Sequence, residues 1–307
     1  MSPRHLLLAI VIAAIWGFNF VPIKTGLDTF PPLLFASLRF VVSAVPAVFF
    51  MRRPPVAWKW IVLPGLAIGV GQFGLMFLGM RQGMPAGLAS VLLQSAALFT
   101  TVFAFGLLRE RPRPLTAAGM LIALFGVTLI GVDFGHGSPI TAFLLTIGAA
   151  ASWGLGNVLM RMMSQSTEEP VDSVGFMVWM SLVPPLPLLA LSLIFEGPSA
   201  DLDAFRDVPW EAWASLAYIA YLSTLVGFGA WGWLMRRYEA GTVAMYALLV
   251  PPFGIASTVV VLGESVSAVR LFAAALIVGG VALGSVRRRV APAAEPPLAT
   301  PEPVLSK

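Results

Sequence analysis

Apolar residues fill ten stretches of this chain, and short segments of Pro, Gly and charged residues separate them. A helix needs roughly 20 mostly apolar residues to cross a bilayer. Stretches at about 5–24, 32–51, 58–79, 86–108, 114–131, 139–162, 172–195, 211–235, 241–262 and 267–286 meet that length. The pattern therefore predicts an all-α membrane protein of ten transmembrane helices. The first stretch follows Arg4 as a secretory signal would, but it runs on to Lys24 without a convincing small-residue cleavage site, so it is read as a span.

The polar punctuation repeats. Residues 86–110 read AGLASVLLQSAALFTTVFAFGLLRE and residues 240–264 read AGTVAMYALLVPPFGIASTVVVLGE, with an Ala-Gly pair and a Glu at the same separation. Trp16-Gly17 with Asn19 in the first span matches Trp153-Gly154 with Asn157 in the sixth. Five spans per half is an odd number, so the second half must be inverted relative to the first, the arrangement of two repeats around a central cavity. The division predicted is a first five-helix repeat over 1–135, a second, inverted repeat over 136–287, and a disordered tail rich in Pro, Ala and Glu over 288–307. The second half is longer between its landmarks, and the acidic segment from Glu196 to Trp210 accommodates the surplus.

Composition agrees and narrows the chemistry. The chain is 58% hydrophobic and 11% charged, with a mean hydropathy of +0.87, too apolar to face water on all sides. It has no cysteine and only His5 and His136, which removes disulfides, thiolate nucleophiles and nearly every zinc arrangement. No cofactor is predicted. The net charge of +4 comes from basic residues in short loops and reports topology instead of a nucleic-acid partner. With the N-terminus in the cytoplasm, fourteen Lys and Arg fall inside and only Lys24, Arg81, Arg206 and Arg270 outside, a strong positive-inside bias with both termini cytoplasmic.

A span carrying WGxN at Trp16 to Asn19, an Arg in the second span at Leu38-Arg39-Phe40, then Ala-Gly and Glu bracketing the fourth, all partly repeated, resembles the drug/metabolite transporter superfamily. More narrowly the chain is similar to the EamA family and its YddG-type amino-acid exporters. The resemblance implies ten helices around a central cavity and export of small metabolites, amino acids including neutral and aromatic ones among them, by alternating access in a bacterial inner membrane. One departure is visible: the family's Pro before Leu/Val-Phe in the fourth span is kept in the second copy at Pro251, Pro252 and Phe253, whereas the first reads Ala97-Leu98-Phe99. That departure weighs against matched proline hinges.

Candidate residues follow from what a span must do with polar groups. Pro251 and Pro252 should free the carbonyls of Ala247 and Leu248, giving either a packing kink or a hinge whose backbone holds a substrate ammonium. Buried amides at Asn19, Gln72, Gln94 and Asn157 should face the bundle interior, joining helices or lining a cavity. Trp16, Trp153 and Trp179 lie deep, while Trp58, Trp60, Trp210, Trp213, Trp231 and Trp233 read as interfacial anchors. Tyr218, Tyr221, Leu225 and Phe228 share one helical stripe, and with Tyr246 they make an aromatic face suited to apolar side chains and ammonium groups. Phe73, Met76 and Phe77 supply an adaptable apolar lining.

Arg39 is expected first to snorkel to the headgroups, second to pair with helix carbonyls, and third to bind substrate. Glu110 and Glu264, at span ends, are read as capping or gating groups tied to Arg109, Arg111 or Arg270, and the Gly65-xxx-Gly69 and Gly280-xxx-Gly284 stripes as close helix contacts. No acid falls in mid-span, which points to facilitated movement without obligatory ion coupling. A drug or nucleoside exporter working by proton antiport is the nearest alternative. An intramembrane enzyme lacks a nucleophile or metal set, and a scaffold would not need inverted halves. The partners expected are a small-molecule substrate, amino acids, and the bilayer; a monomer would suffice.

Overall fold

The computed structural model describes residues 1–134, 139–167 and 171–285, with only the backbone of Ala240 and Gly241. The predicted repeat junction at 135/136, His136, Arg287 to Arg289 and the predicted tail lie outside these residues. Nine described helices are long and apolar enough to cross a membrane: α1 (Pro3–Thr29), α3 (Lys59–Arg81), α4 (Ala86–Leu108), α5 (Pro114–Phe134), α6 (Ile140–Gln165), α7 (Ser173–Phe195), α8 (Trp210–Arg237), α9 (Thr242–Leu262) and α10 (Ala268–Ser285). The shorter α2 (Pro32–Val48) completes ten, its 17 residues being at the lower limit for a span. Short connections make successive helices antiparallel, so α1 starts and α10 ends at one end of the bundle, called here the near end.

Six of the ten helices are irregular, and the irregularities repeat between halves. The third helix of each half carries a π-helical segment, Gly65–Gly74 in α3 and Tyr218–Gly227 in α8. The fourth helix of each half tightens to 3-10 geometry at corresponding positions, Leu93–Ser95 in α4 and Met245–Leu249 in α9. The matched tightening therefore exists without matched prolines, in keeping with the departure at Ala97-Leu98-Phe99. In α9 the Ala247 carbonyl expected to be free accepts from the Val250 N–H instead, because the 3-10 turn re-pairs what the proline released. α1 breaks at Asn19, and α7 breaks between Ser181 and Pro185. The π segment also undoes the predicted stripe of α8: Tyr218 is half-buried while Tyr221 is exposed, since a wider turn rotates residues three and four apart off one face.

Small residues set the closest helix approaches, as expected where lipid supplies no hydrophobic drive. A Cβ on Gly119 of α5 would lie 2.4 Å from the Gly280 carbonyl of α10, and one on Gly280 would lie 2.5 Å from that of Gly119. In α3, Gly65 and Gly69 make room for Val183 and Pro184 of α7. Both glycine stripes thus pack helices within the chain.

The buried core is lopsided. One continuous cluster fills the far half, with Ile23 and Leu27 of α1, Phe30 just after it, Phe35 of α2, Phe77 and Met80 of α3, Leu88 and Leu92 of α4, and Leu216 and Ile219 of α8 among its members. Toward the near end the core divides in two. Ala9 and Ile12 of α1 pack with Leu234 of α8 and Val243 of α9. Separately, Val56 before α3 and Ile61 at its start pack with Met163 of α6 and Phe176 of α7.

Candidate functional site

The irregular segments lie within the spans and not at their ends, and the elements around them are tied by side chains. On one side of the division, side chains tie α1 to α8: Trp16 Nε1 donates to the Ser223 carbonyl at 3.0 Å, and the Tyr218 hydroxyl donates to the Ile15 carbonyl at 2.9 Å. The Trp16 ring also packs on Phe228 at 4.9 Å and on Trp231 at 5.0 Å between centroids, so Trp231 is a packing partner as well as a residue near a span end. On the other side Asn157 Nδ2 of α6 donates to Thr100 Oγ1 of α4 at 3.2 Å. Each side is knit internally by the polar residues that sequence reasoning assigned to a cavity.

Phe73, Gln94, Trp153 and Tyr246 are partly buried at or beside the helix breaks. Gln94 sits in the 3-10 turn of α4, and Tyr246 in that of α9. Asn19, at the break in α1, and the buried Gln72, in the π segment of α3, each keep a buried side-chain oxygen without a hydrogen-bond partner. Met76 and Phe77 are a different matter. They are sealed inside the far-half core, Phe77 against the Phe35 ring at 5.5 Å, and do not line an accessible space. Beyond the π segment α3 returns to α-helical pitch and turns these two residues into the buried core.

Arg39 does not snorkel. It is 3% exposed, and it reaches across from α2 to both π segments, its guanidinium carbon 3.7 Å from the Phe73 ring centroid and its Nη2 donating to Thr224 Oγ1 at 3.2 Å. The sequence gives no sign of Thr224, since nothing local links it to Arg39.

The far end is fastened by carboxylates from the second half on helix N-termini of the first. Glu264 accepts from the N–H groups of Ala86 and Gly87 at 2.6 and 2.9 Å, and Glu196 from those of Leu33 and Leu34 at 2.9 and 3.3 Å. Unpaired N–H groups and the helix dipole both favour a carboxylate there. Glu264 is thus a cap, as expected, but its partners are not arginines: Arg270 pairs with Asp133 at 2.6 Å. Glu110, at the near end, pairs with Arg161 of α6 at 2.8 Å and not with its sequence neighbours.

Two halves with matched breaks each match a known transporter family, over residues 4–132 and 140–286. The chain belongs to the EamA-like transporter family. It is similar, at 39% identity over 283 residues covering 92% of this chain and 94% of the relative, to a probable amino-acid metabolite efflux pump of Salmonella typhimurium. A protein of the same description from Escherichia coli is 39% identical over 287 residues, covering 92% of this chain and 94% of its own. A probable terminal-alkyne amino-acid exporter of Streptantibioticus cattleyicolor is 28% identical over 285 residues, covering 90% and 91%. Among solved structures, one crystal structure covers 92% of this chain and 96% of its own at a TM-score of 0.61 and 20% identity, a likeness of fold. As an EamA member the protein is a multi-pass membrane transporter and not an enzyme.

Proposed function

We propose that this EamA transporter exports amino acids and related small metabolites across a bacterial inner membrane by alternating access, with the near end cytoplasmic. The names of its efflux-pump and exporter relatives support the substrate class. The observation that carries the mechanism is the core: continuous across the far half and split into two clusters toward the near end. That pattern supports a molecule closed at the far end and more loosely joined at the near one, where Arg236 and Asp172, 3.8 Å apart, still link α8 to the start of α7. The near end is then the inward-open side of a carrier if the basic loops lie inside as their bias of fourteen to four predicts. The predicted repeats 1–135 and 136–287 supply the opposite state by inversion, the matched π and 3-10 segments acting as hinges. A substrate that is a zwitterion or neutral solute suits a middle layer of amides, aromatic rings and helix ends.

The decisive experiment is flux of labelled neutral and aromatic amino acids across liposomes holding the purified protein, with no ion gradient imposed. Saturable movement is expected, because described acids lie at helix ends and in loops and none lies mid-span. Movement that begins only with a pH gradient would overturn the facilitative reading; movement of nucleosides or cationic drugs alone would overturn the substrate class.

A second expectation concerns the cap. Glu264→Ala removes both acceptor contacts at the start of α4 and should loosen the far end. In the cysteine-free chain, Ser90→Cys probes it, since Ser90 is buried beneath that end beside Gly254. An impermeant maleimide added from the far side should label this cysteine several-fold faster when Glu264 is also replaced; equal rates would show that the cap does not hold the far end shut.

A further inference from the structure

Among the described residues Arg39 is the one charged side chain buried within a membrane span. A charge there is costly even on the mildest scales, and buried guanidinium groups ordinarily meet a carboxylate or a full set of acceptors. Arg39 meets neither. Its Nη2 has the Thr224 hydroxyl, its faces have the Phe73 and Phe40 rings at 3.7 and 5.0 Å, and its Nε and Nη1 are buried without any acceptor. None of the ion pairs among the described residues includes it.

A purely structural tie between α2, Phe73 and Thr224 would need only one donor and an apolar stem. The additional charge and the two empty donor atoms call for an anion. The orphan acceptors complete the picture. Asn19 Oδ1 on α1 and Gln72 Oε1 on α3 are, among the described residues, the other buried side-chain atoms without partners, and both belong to the first half, on helices that neighbour α2. Unfilled cationic donors and unfilled neutral acceptors on neighbouring helices are the complement of a zwitterion, which brings a carboxylate for the first and an ammonium for the second.

We propose that Arg39 binds the carboxylate of the transported amino acid when α3 and α8 move apart, with Asn19 and Gln72 accepting from its ammonium. The guanidinium lies between the two π segments, so separation of those helices is the motion that uncovers it. This assignment rests on the amino-acid export reading above and gives that reading its polar contacts.

The test compares a substrate with its neutralised analogue. Liposomes holding the wild-type protein, Arg39→Gln or Arg39→Lys are assayed for uptake of L-phenylalanine and of L-phenylalaninamide, which keeps the ring and ammonium but has no carboxylate. Wild type should prefer the acid by on the order of tenfold, the worth of one charge-assisted contact. The preference should fall to within about twofold in Arg39→Gln and lie between in Arg39→Lys. An undiminished preference in Arg39→Gln, or equal losses of acid and amide, overturns the assignment and leaves a structural tie. If Arg39→Gln does not fold, Thr224→Val keeps the charge and removes its tether; the same ratio should fall, and an unchanged ratio overturns the proposal. Wild type that carries neither compound overturns the export reading itself, and this assignment with it, whereas wild type that carries both equally overturns the assignment alone.

Discussion

Joining α4 to α9 at the far end by a disulfide between Gly87→Cys and Thr258→Cys should abolish transport, and a reductant should restore it. A Cβ built on Gly87 lies 2.6 Å from Thr258 Oγ1, so two cysteines there stand within the Cβ separation of roughly 3.5–4.5 Å that a disulfide accepts. The chain has no cysteine of its own, so the pair forms without competition. The bond would fix the contact beside the Glu264 cap, where the ordered far half must part if substrate is to leave on that side. Flux in proteoliposomes should drop at least about tenfold on oxidation, since a conformational step that sets turnover has been removed. The reduced double variant reports any effect of the substitutions themselves. Full transport by the oxidised protein would mean that α4 and α9 need not separate there, and the exchange of open ends proposed above would fail.

The landmarks that carry this architecture were readable as letters because they are repeated letters. Trp16-Gly17 and Trp153-Gly154, and the two Ala-Gly to Glu frames, announce two halves, which the family match over 4–132 and 140–286 bears out. Helix irregularity was not readable in the same way. The 3-10 turn at Leu93–Ser95 has no proline, and it is Ser95 Oγ donating to the Leu92 carbonyl that supports its tight geometry. The π segment of α8 is supported by Thr224 Oγ1 donating to the Ile219 carbonyl five residues back, a bond open to any threonine in a helix and taken here because Arg39 holds the hydroxyl from the other side. Arg39 itself was judged by its depth along α2, which says how far the side chain can reach but not what awaits it in α8. Glu264 was recognised as a cap from its place at a span end, and its partner was misjudged because a near neighbour in sequence, Arg270, competes with a helix start far away in the chain. Met76 and Phe77 were placed in a lining because apolar residues beside Gln72 look alike whether they face a cavity or a core.

The Trp-Gly pairs connect this legible repeat to the mechanism. A Cβ on Gly17 would come within 2.4 Å of Phe253 Cβ and 2.8 Å of the Gly254 nitrogen and the Val250 carbonyl, while one on Gly154 would come within 2.7 Å of Phe99 Cβ and the Thr100 nitrogen and 3.0 Å of the Ala96 carbonyl. These are corresponding contacts of the two halves. In each, the first helix of one half lies backbone against backbone on the fourth helix of the other, immediately after its 3-10 turn at Leu93–Ser95 or Met245–Leu249. Only glycine leaves that space, so Gly17→Ala and Gly154→Ala should each push a helix off its neighbour at the hinge. Overpacking of this kind destabilises by about 1–3 kcal/mol. Both variants should melt at lower temperature in detergent and lose most amino-acid flux, Gly17→Ala more than Gly154→Ala because its approach is closer. Gly106→Ala, with no atom within 4 Å of its Cβ, should leave flux unchanged and raise the melting temperature slightly. Had the two glycines served α1 and α6 only as local helix residues, alanine would raise helix propensity and stabilise both spans; a rise in melting temperature in either variant would therefore refute the crossed grip of each half on the other's hinge.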